Sequence, residues 1–314
     1  MLTTKELALN LVESAAVTRT TSQHEFFAMG TRFYFVVVDA PISSIAILET
    51  KVRELETLWT RFLATSEIMQ MNLSQGQPCN VSPDTAELII EMIHGFELTD
   101  GKFNPSVLPA LVKQGFVTQD EGLNHSISET GALPGNLTEI TIDRDKLTVT
   151  LPKGMMLDAG GIGKGLAADI VADLAVSLGV KGIAVFAGGE VAIRGVAPTA
   201  EGWSIGVQNP WDEEDLLDVI QLAHGGVATS STQARIVNDS HHLINPVTST
   251  SFETDVVQAT VLCDRAVDAE ILTKACFALN CLDALTMVEE VGAQALLVSL
   301  DGTIHRTLGW ESYT

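Results

Sequence analysis

The spacing of apolar residues divides the first third of the chain into a strand and two helices. Residues 32–39 (RFYFVVVD) are rich in β-branched and aromatic side chains and predict a strand. Apolar residues three and four positions apart predict a helix over residues 45–59. A second helix is predicted to begin after Ser82, a suitable N-cap, with Pro83 in its first turn, and to end at a turn at residues 100–101.

Strands outnumber helices in the rest of the chain. Alternating runs predict a hairpin around residues 143–145 and a closing pair of strands over residues 294–308. Residues 267–280 (VDAEILTKACFALN) predict a last helix, and the polar residues 117–138 predict a surface loop. A central helix is predicted to enter near residue 162 and to bury one apolar stripe. The stripe consists of Ile162, Leu166, Ile170, Leu174 and Leu178. The remaining strand-like segments are GIAVFAGGEVAIRG, GWSIGVQNP, DVIQLAHGGVATS and DVVQATVLC.

Because these strands do not alternate strictly with helices, the pattern predicts an α+β fold in which mixed or antiparallel sheets pack against helices. The chain has 314 residues, 46% of them apolar, and lacks low-complexity tracts, so we expect one globular domain with a sizeable core. The formal net charge of −22 argues against a nucleic-acid partner, since a phosphate backbone attracts basic surfaces.

The amino-terminal residues read as an amphipathic helix and not as a signal peptide. Glu6 and Glu13 interrupt the apolar positions, and no basic start precedes an unbroken apolar stretch. We therefore expect a helical extension over residues 1–23. No run of apolar residues is long enough to span a bilayer, and these features together predict a cytoplasmic protein.

The four cysteines lack the paired spacing of a zinc site. Cys263 and Cys276 lie in strongly apolar runs, which is typical of buried thiols. We expect free thiols in a reducing compartment and no zinc.

A glycine-rich segment, residues 157–174 (LDAGGIGKGLAADIVADL), is the first candidate for chemistry. It is not a P-loop, because Gly165 follows Lys164 where Ser or Thr is required. Gly163, Gly165 and Ala168 satisfy the dinucleotide pattern GxGxxA, with Glu190 further along as a possible ribose ligand. That pattern leaves open a Rossmann-type NAD-dependent oxidoreductase. Glycines in a tight turn also occur for backbone reasons alone.

Six segments in a fixed order resemble the FAD:protein FMN transferase family, the ApbE family, across roughly residues 24–310. The segments are AMGT (28–31), TDGKFNPSV (99–107), LDAGGIGKGLAAD (157–169), FAGGEVAIRG (186–195), VATSSTQAR (227–235) and HHLINPVTS (241–249). The resemblance implies a single ApbE-like domain over residues 24–314. It also implies binding of FAD and, with Mg²⁺, transfer of its FMN half through a phosphoester bond to a Thr or Ser of a target flavoprotein, with release of AMP.

The resemblance assigns a flavin site residue by residue. The implied FAD contacts are Met29, Phe62, Lys102, Phe103, Asn104, Asp158, Lys164, Thr229, Ser230 and Leu243. Asn104 stands where the family usually has an aspartate. His242 occupies the place of the family's histidine and is the candidate general base for the acceptor hydroxyl, because imidazole titrates near neutral pH. Ordinary core packing would account equally well for Met29 and Phe62, and local turn bonding for Thr229 and Ser230.

The implied metal site departs from the family pattern. It combines the Gly161 carbonyl with an Asp and a Thr four residues apart on one helix face, and here those two positions hold Glu270 and Lys274. A carboxylate can bind a hard cation, whereas a protonated amine has no lone pair to offer. In one interpretation the Lys274 ammonium replaces the cation. In the other, Thr273 reaches the metal and Lys274 is a solvated partner of Glu270.

Three functions remain open at this point. The first is an FAD:protein FMN transferase whose acceptors are cytoplasmic flavoproteins. The second is a flavin-binding relative that binds FAD without transferring FMN and serves as a carrier or redox protein. The NAD-dependent oxidoreductase is a distant third.

Overall fold

A computed structural model describes residues 19–314. The helices are α1 (Ser44–Trp59), α2 (Glu67–Leu73), α3 (Pro83–Leu98), α4 (Leu108–Lys113), α5 (Glu121–Thr130), α6 (Gly163–Ser177), α7 (Ala266–Cys276) and α8 (Cys281–Glu290). The strands of the first half are β1 (Thr21–Ala28), β2 (Thr31–Val38), β3 (Cys79–Asn80), β4 (Thr141–Asp143) and β5 (Thr148–Thr150). Those that follow α6 are β6 (Gly182–Ala187), β7 (Glu190–Gly195), β8 (Trp203–Asn209), β9 (Asp212–Leu222), β10 (Gly225–Ser231), β11 (Ile236–Val237), β12 (Ser240–His241), β13 (Ile244–Asn245), β14 (Thr250–Ser251), β15 (Val256–Cys263), β16 (Gln294–Ser299) and β17 (Ile304–Arg306).

The central feature is an eight-stranded sheet in the order β1-β2-β6-β7-β10-β15-β16-β17, in which every pair of neighbours is antiparallel. The α+β class and the antiparallel sheet are therefore confirmed. A Rossmann fold requires parallel strands joined by crossover helices, so the prediction of a nicotinamide-binding oxidoreductase is wrong at the level of the fold.

Both faces of this sheet are covered, which explains why β2 is apolar at nearly every position. Phe33 and Phe35 pack with residues of α1 and α6 on one face. Tyr34 and Val36 pack on the other face with residues of the β8–β9 hairpin and with Trp310. A strand buried on both sides has no polar face, so its run of apolar residues fits this place.

A third body of apolar residues lies beside the sheet and supports the glycine-rich segment. It unites α2, α3 and the small sheet β3-β5-β4 with Leu157, Ile162 and Leu166. Buried side chains thus hold the segment on both sides of its first two glycines, Gly160 and Gly161, which are exposed and partly buried, respectively.

Most helices and strands lie where the sequence predicts them. The strand over residues 32–39 and the helix over residues 45–59 correspond to β2 and α1. Ser82 caps α3 by accepting a hydrogen bond from the Thr85 amide, with Pro83 in the first turn. The 143–145 hairpin and the closing strands are also present.

Four predictions of local structure are wrong. Residues 117–138 contain α5 and are not only a loop. The sequence features that mark this helix are few: a cap at Asp120 and two buried apolar residues, Leu123 and Ile127. Residues 182–195 form two strands, not one, because the chain reverses at Gly188, where φ is +74°. DVIQLAHGGVATS likewise spans parts of β9 and β10. Finally, α7 is not the last helix, because α8 follows it.

The predicted amino-terminal extension can be compared only at its end. Strand β1 begins at Thr21, so the last part of the helix predicted for residues 1–23 is a strand. The rest of that prediction lies outside the described residues. Within residues 19–314, every helix is too short or too polar to cross a membrane.

The central helix α6 is present, but its buried face differs from the predicted stripe. Small residues are fully buried against the sheet and α7, whereas Ile170 and Leu174 are only partly buried. The small residues are Gly165, Ala167, Ala168, Ala172 and Ala175. They bring the backbone of α6 close to its neighbours.

Gly165 is the tightest of these contacts. A Cβ at this position would lie 2.7 Å from the Ala266 carbonyl oxygen and 3.0 Å from Glu270 Oε2. Because backbone cannot yield as a flexible side chain does, Gly165→Ala should lower the free energy of unfolding by about 2–3 kcal/mol. Denaturant unfolding measures this. Gly122→Ala, in the exposed first turn of α5, is the control and should be neutral or stabilising by up to about 1 kcal/mol. Equal stability of the two variants would contradict the close approach of α6 and α7.

The predicted burial of the thiols is confirmed for Cys276, whereas Cys263 is only partly buried. All four cysteines are free, with Cys276 and Cys281 buried and the other two partly buried. Within residues 19–314, no group of three or more His, Cys, Asp or Glu side chains could hold a metal ion.

Candidate functional site

A large cleft opens beside the glycine-rich segment and encloses about 1340 Å³, including the solvent at its mouth. Its walls come from the β1–β2 turn, the end of α1, the loop after α3, the start of α6 and the segment around β12 and β13. Lys274 of α7 closes one side. A cleft formed by so many separate loops can hold an extended ligand.

The cleft concentrates positive charge in a strongly acidic chain. Five of the chain's 18 basic residues line it, against two carboxylates. The basic residues are Arg61, Lys102, Lys164, Arg235 and Lys274, and the carboxylates are Glu56 and Asp158. Lys164 and Lys274 also face the buried Glu190 and Glu270, so the basic side chains exceed the nearby carboxylates by one. In an acidic chain this local excess favours an anionic ligand.

The glycine-rich segment borders the cleft with bare backbone. Asp158 caps a short turn over residues 159–161 by accepting a hydrogen bond from the Gly160 amide at 3.0 Å. Gly160, Gly161 and Gly163 then line the cleft, and α6 begins at the last of these. The amino-terminal end of α6 therefore lies at the cleft, an arrangement typical of helices that bind anions. Gly165, by contrast, is buried for packing and does not line it.

Behind this segment lie four charged side chains, which we call the buried charge cluster: Lys164, Glu190, Glu270 and Lys274. The Lys164 ammonium donates to Glu270 Oε1 at 2.5 Å and lies 2.9 Å from Glu190 Oε1. The Lys274 ammonium lies 3.3 Å from the same Glu270 oxygen and 3.7 Å from the same Glu190 oxygen. Both carboxylates are almost completely buried, while both lysines also reach the cleft.

The cluster shifts the pKa values of its members in different directions. Burial alone would raise the pKa of Glu270, but the charges of Lys164 and Lys274 and the bonds from Lys164 and the Gly165 amide outweigh it and lower that pKa to about 2. Burial and the neighbouring Glu270 charge raise the pKa of Glu190. Burial lowers the pKa of Lys274, whereas in Lys164 the two carboxylates overcome burial and raise the pKa.

These residues do not fit the Mg²⁺ that the family resemblance implies. Glu270 accepts from two ammonium groups at Oε1 and from the Gly165 amide at Oε2, at 2.7 Å. Mg²⁺ requires oxygen ligands in near-octahedral geometry, and both oxygens of this carboxylate already have partners. Two lysines beside two carboxylates also balance the charge without a metal.

The alternative that used Thr273 is not what the structure shows. The Thr273 hydroxyl is buried, where it donates to the Glu270 carbonyl at 2.8 Å and pairs with Ser230 Oγ at 3.0 Å. Lys274 is not a solvated partner, since its side chain is only 14% exposed. The Lys274 ammonium instead lies beside the carboxylates of Glu190 and Glu270.

Most of the predicted site residues meet at the cleft. Those that line it are Met29, Phe62, Lys102, Phe103, Asn104, Asp158, Gly161, Lys164, His242, Leu243 and Lys274. Four others do not line it: Thr229, Ser230, Glu270 and Thr273. Thr229 pairs with the Thr260 hydroxyl at 2.9 Å, so its hydroxyl, like that of Ser230, is engaged between β10 and its neighbours.

Asn104, which stands where the family has an aspartate, stabilises the wall of the cleft. Its Oδ1 accepts hydrogen bonds from the Ser106 amide and hydroxyl, and its Nδ2 donates to the Gly135 carbonyl at 3.0 Å. Met29 has a left-handed backbone, with φ of +51°, and its amide donates to Glu56 at the mouth of the cleft.

Arg61 is a cleft residue that the sequence did not single out. Its guanidinium lies 5.0 Å from the centre of the Phe62 ring, and its Nε is 3.5 Å from Asp158. Its Nη1 is buried and has no hydrogen-bond partner within residues 19–314. A buried donor without a partner is unusual, and an anionic ligand would supply one. Arg235 was missed as well.

A hydrogen bond to the backbone determines which ring nitrogen of His242 carries the hydrogen. Its Nδ1 lies 3.1 Å from the Ala234 carbonyl, and because a carbonyl only accepts, Nδ1 carries the hydrogen and Nε2 keeps its lone pair. Burial, together with the positive charges of Lys274 and Arg235, lowers the pKa of His242 to about 3. The imidazole is therefore neutral at physiological pH and able to accept a proton.

The low pKa of His242 gives a prediction for catalysis. If His242 is the base, its active neutral form persists as the pH falls, so kcat/KM, which reports the free enzyme, should show no loss attributable to this histidine between pH 5 and 8. A pH–rate profile measures this. An inflection near pH 6.5, the value of a free imidazole, that disappears in His242→Gln would contradict the assigned environment.

The structure combines an antiparallel α+β fold with a basic cleft beside a glycine-rich helix start, an arrangement suited to an anionic ligand. A sequence model of the ApbE family matches residues 29–297, and the chain belongs to the ApbE family.

Named relatives agree with this placement. The chain is 26% identical over 253 residues to an FAD:protein FMN transferase of Vibrio cholerae, covering 74% of each chain. It is 27% identical over 271 residues to one of Treponema pallidum, covering 78% of this chain and 74% of the relative. The crystal structure of an ApbE protein from Thermotoga maritima superposes with a TM-score of 0.83 at 27% identity, covering 94% of this chain and 99% of the other. The apo flavinyl transferase ApbE of Pseudomonas stutzeri shares the fold, with a TM-score of 0.80 at 20% identity, and covers 96% of this chain and 98% of that one.

Proposed function

We propose that this chain is an FAD:protein FMN transferase, which moves FMN from FAD to a Thr or Ser of a target flavoprotein and releases AMP. The observation that carries the proposal is the cleft itself. In an acidic chain of the ApbE family, five basic side chains and the backbone of Gly160, Gly161 and Gly163 surround one space large enough for a dinucleotide.

In this proposal the diphosphate of FAD lies at the start of α6. The amides of the glycine-rich turn and the ammonium groups of Lys164 and Lys274 neutralise its charge, as preorganised donors do for phosphoryl groups. The guanidinium of Arg61, whose Nη1 lacks a partner in the described chain, is a further donor. Met29 and Phe62 offer apolar surface for the flavin ring at the mouth of the cleft.

The transfer step follows from these positions. The acceptor hydroxyl oxygen attacks the phosphorus of the FMN phosphate, and the bond from that phosphorus to the bridging oxygen breaks. The bridging oxygen leaves with AMP. The hydroxyl proton passes to Nε2 of His242 and then to solvent, which restores the neutral imidazole. The Ala234 carbonyl keeps the ring in the tautomer that this proton transfer needs.

The partners of the proposal are FAD and an acceptor flavoprotein. We propose that the acceptor is a flavoprotein that presents a Thr or Ser hydroxyl to the cleft.

The proposed function is tested by mixing the protein with FAD and a flavoprotein that carries an acceptor Thr. We expect AMP to be released in step with flavin that remains on the acceptor after denaturation. An acceptor with Thr→Val is the control and should remain unlabelled. Binding of FAD without AMP release would instead favour the carrier function, and failure to bind FAD would exclude both.

A further inference from the structure

We propose that the ammonium of Lys274 takes the position of a divalent cation in this protein, so that the site binds FAD without Mg²⁺. The inference rests on the proposed function only for the identity of the ligand. Its basis is the disagreement between the metal site implied by the family resemblance and the side chains that form the buried charge cluster.

The position of Lys274 is the first argument. The side chain starts from α7 one turn after Glu270, and its stem runs past Gly161, where a Cβ would be 3.9 Å from Lys274 Cε and Cγ. Its ammonium ends 3.3 Å from Glu270 Oε1 and also borders the cleft. It therefore lies between the carboxylates and the space for the ligand, next to the Gly161 backbone, which is where the family resemblance puts the metal.

The balance of charge is the second argument. Glu190 and Glu270 are opposed by two ammonium groups, so the cluster is neutral as it stands. Before FAD binds, adding Mg²⁺ would leave a net charge of +2 in this buried site, and charges in such a place are costly unless they are paired. The charge of Lys274 is part of the chain, whereas Mg²⁺ must lose tightly bound water molecules before it can bind.

The donors still available are the third argument. An ammonium has three N–H groups, and the contacts of Lys274 with the two carboxylates are longer than those of Lys164. Lys274 can therefore turn one N–H towards a diphosphate oxygen while it remains beside Glu270. Lys164, which is closer to both carboxylates, acts mainly to neutralise them.

Two measurements on the unmodified protein test this. The first is FAD affinity, followed by quenching of flavin fluorescence, in EDTA and in excess Mg²⁺; the two values should agree within about twofold. The second is binding of Mn²⁺, a paramagnetic stand-in for Mg²⁺, measured by electron paramagnetic resonance with and without FAD. We expect no saturable Mn²⁺ site at the stoichiometry of the protein.

A variant with both Glu270→Asp and Lys274→Thr tests whether restoring the family's residues restores a metal site. It should acquire a stoichiometric Mn²⁺ site in the presence of FAD, and its FAD affinity should fall roughly tenfold or more in EDTA. Glu270→Asp alone is the matched control and should bind no Mn²⁺, because Lys274 remains. Lys153→Thr, at an exposed position, controls for the loss of one positive charge.

The outcomes separate this inference from the proposed function. Stoichiometric Mn²⁺ binding by the unmodified protein, or a large loss of FAD affinity in EDTA, would overturn the inference and leave the transferase standing. Absence of FAD binding under every condition would overturn the transferase, while the Mn²⁺ measurement would still decide whether the site takes a cation. If the double variant does not fold, the two measurements on the unmodified protein decide alone.

Discussion

Lys164→Met is expected to lower the free energy of unfolding at neutral pH by about 3–5 kcal/mol. Lys164 is the closest cationic partner of both Glu190 and Glu270, at 2.9 and 2.5 Å. Without it, two buried carboxylates face one ammonium, that of Lys274. Removing one member of a buried ion pair is destabilising because the remaining charge has no water around it. Chemical denaturation at pH 7 measures the loss.

The pH dependence of this loss distinguishes lost charge pairing from lost packing. In the unmodified protein the pKa of Glu270 is lowered, so its stabilisation is present above the unfolded pKa and disappears only as the pH falls towards 2. The pKa of Glu190 is already raised in the unmodified protein, and in Lys164→Met we expect it to rise further because a positive neighbour is lost. The folded variant should therefore take up more protons than the unmodified protein and gain more stability as the pH falls from 7 to 5. The difference between the two proteins should therefore shrink over that range.

The control is Lys153→Met, at an exposed position, which should change stability by no more than about 0.5 kcal/mol. A loss in Lys164→Met that is the same at pH 5 and pH 7 would show that the ammonium is not what stabilises the cluster.

His242→Ala is expected to reduce FMN transfer by about 10²–10⁴-fold while FAD still binds. The variant removes the nitrogen that accepts the acceptor's proton and leaves the basic residues of the cleft in place. Single-turnover release of AMP measures the chemical step, and flavin fluorescence measures binding.

His224→Ala, at an exposed position outside the cleft, is the control for this prediction and should transfer FMN at the unmodified rate. Transfer by His242→Ala at an undiminished rate would remove His242 as the base. A parallel loss of FAD binding would show that the imidazole acts in binding instead.

The sequence predicted those features of the fold that depend on local signals. Strand β2 has its run of apolar residues, α1 its regular spacing, and α3 both a Ser82 cap and Pro83 in the first turn. Helix α5 was missed because its pattern is one cap and one buried pair, Leu123 and Ile127, within a polar segment. The hairpin at Gly188 was missed because its two strands are mostly apolar and their pattern predicts one continuous strand across the glycine turn.

The candidate site was predictable where a motif lies in one stretch of chain. The glycine-rich turn and His242 are of this kind. The role of Glu190 was not, because it depends on β7 and α7 bringing two carboxylates to the same lysine from distant parts of the chain. The family resemblance implied Ser230 as an FAD contact, and Thr273 was one of two alternatives for the metal site, yet their hydroxyls meet inside the protein.

The central claim is that the cleft holds the diphosphate of FAD against the start of α6, with a lysine where a metal would otherwise lie. A crystal structure of the FAD complex grown with Mg²⁺ tests it most directly. We expect the diphosphate within hydrogen-bond distance of the Lys274 ammonium and of amides from residues 160–163, with no cation between Glu270 and the phosphates. A diphosphate bound elsewhere, or a magnesium ion on Glu270 with Lys274 turned away, would contradict it.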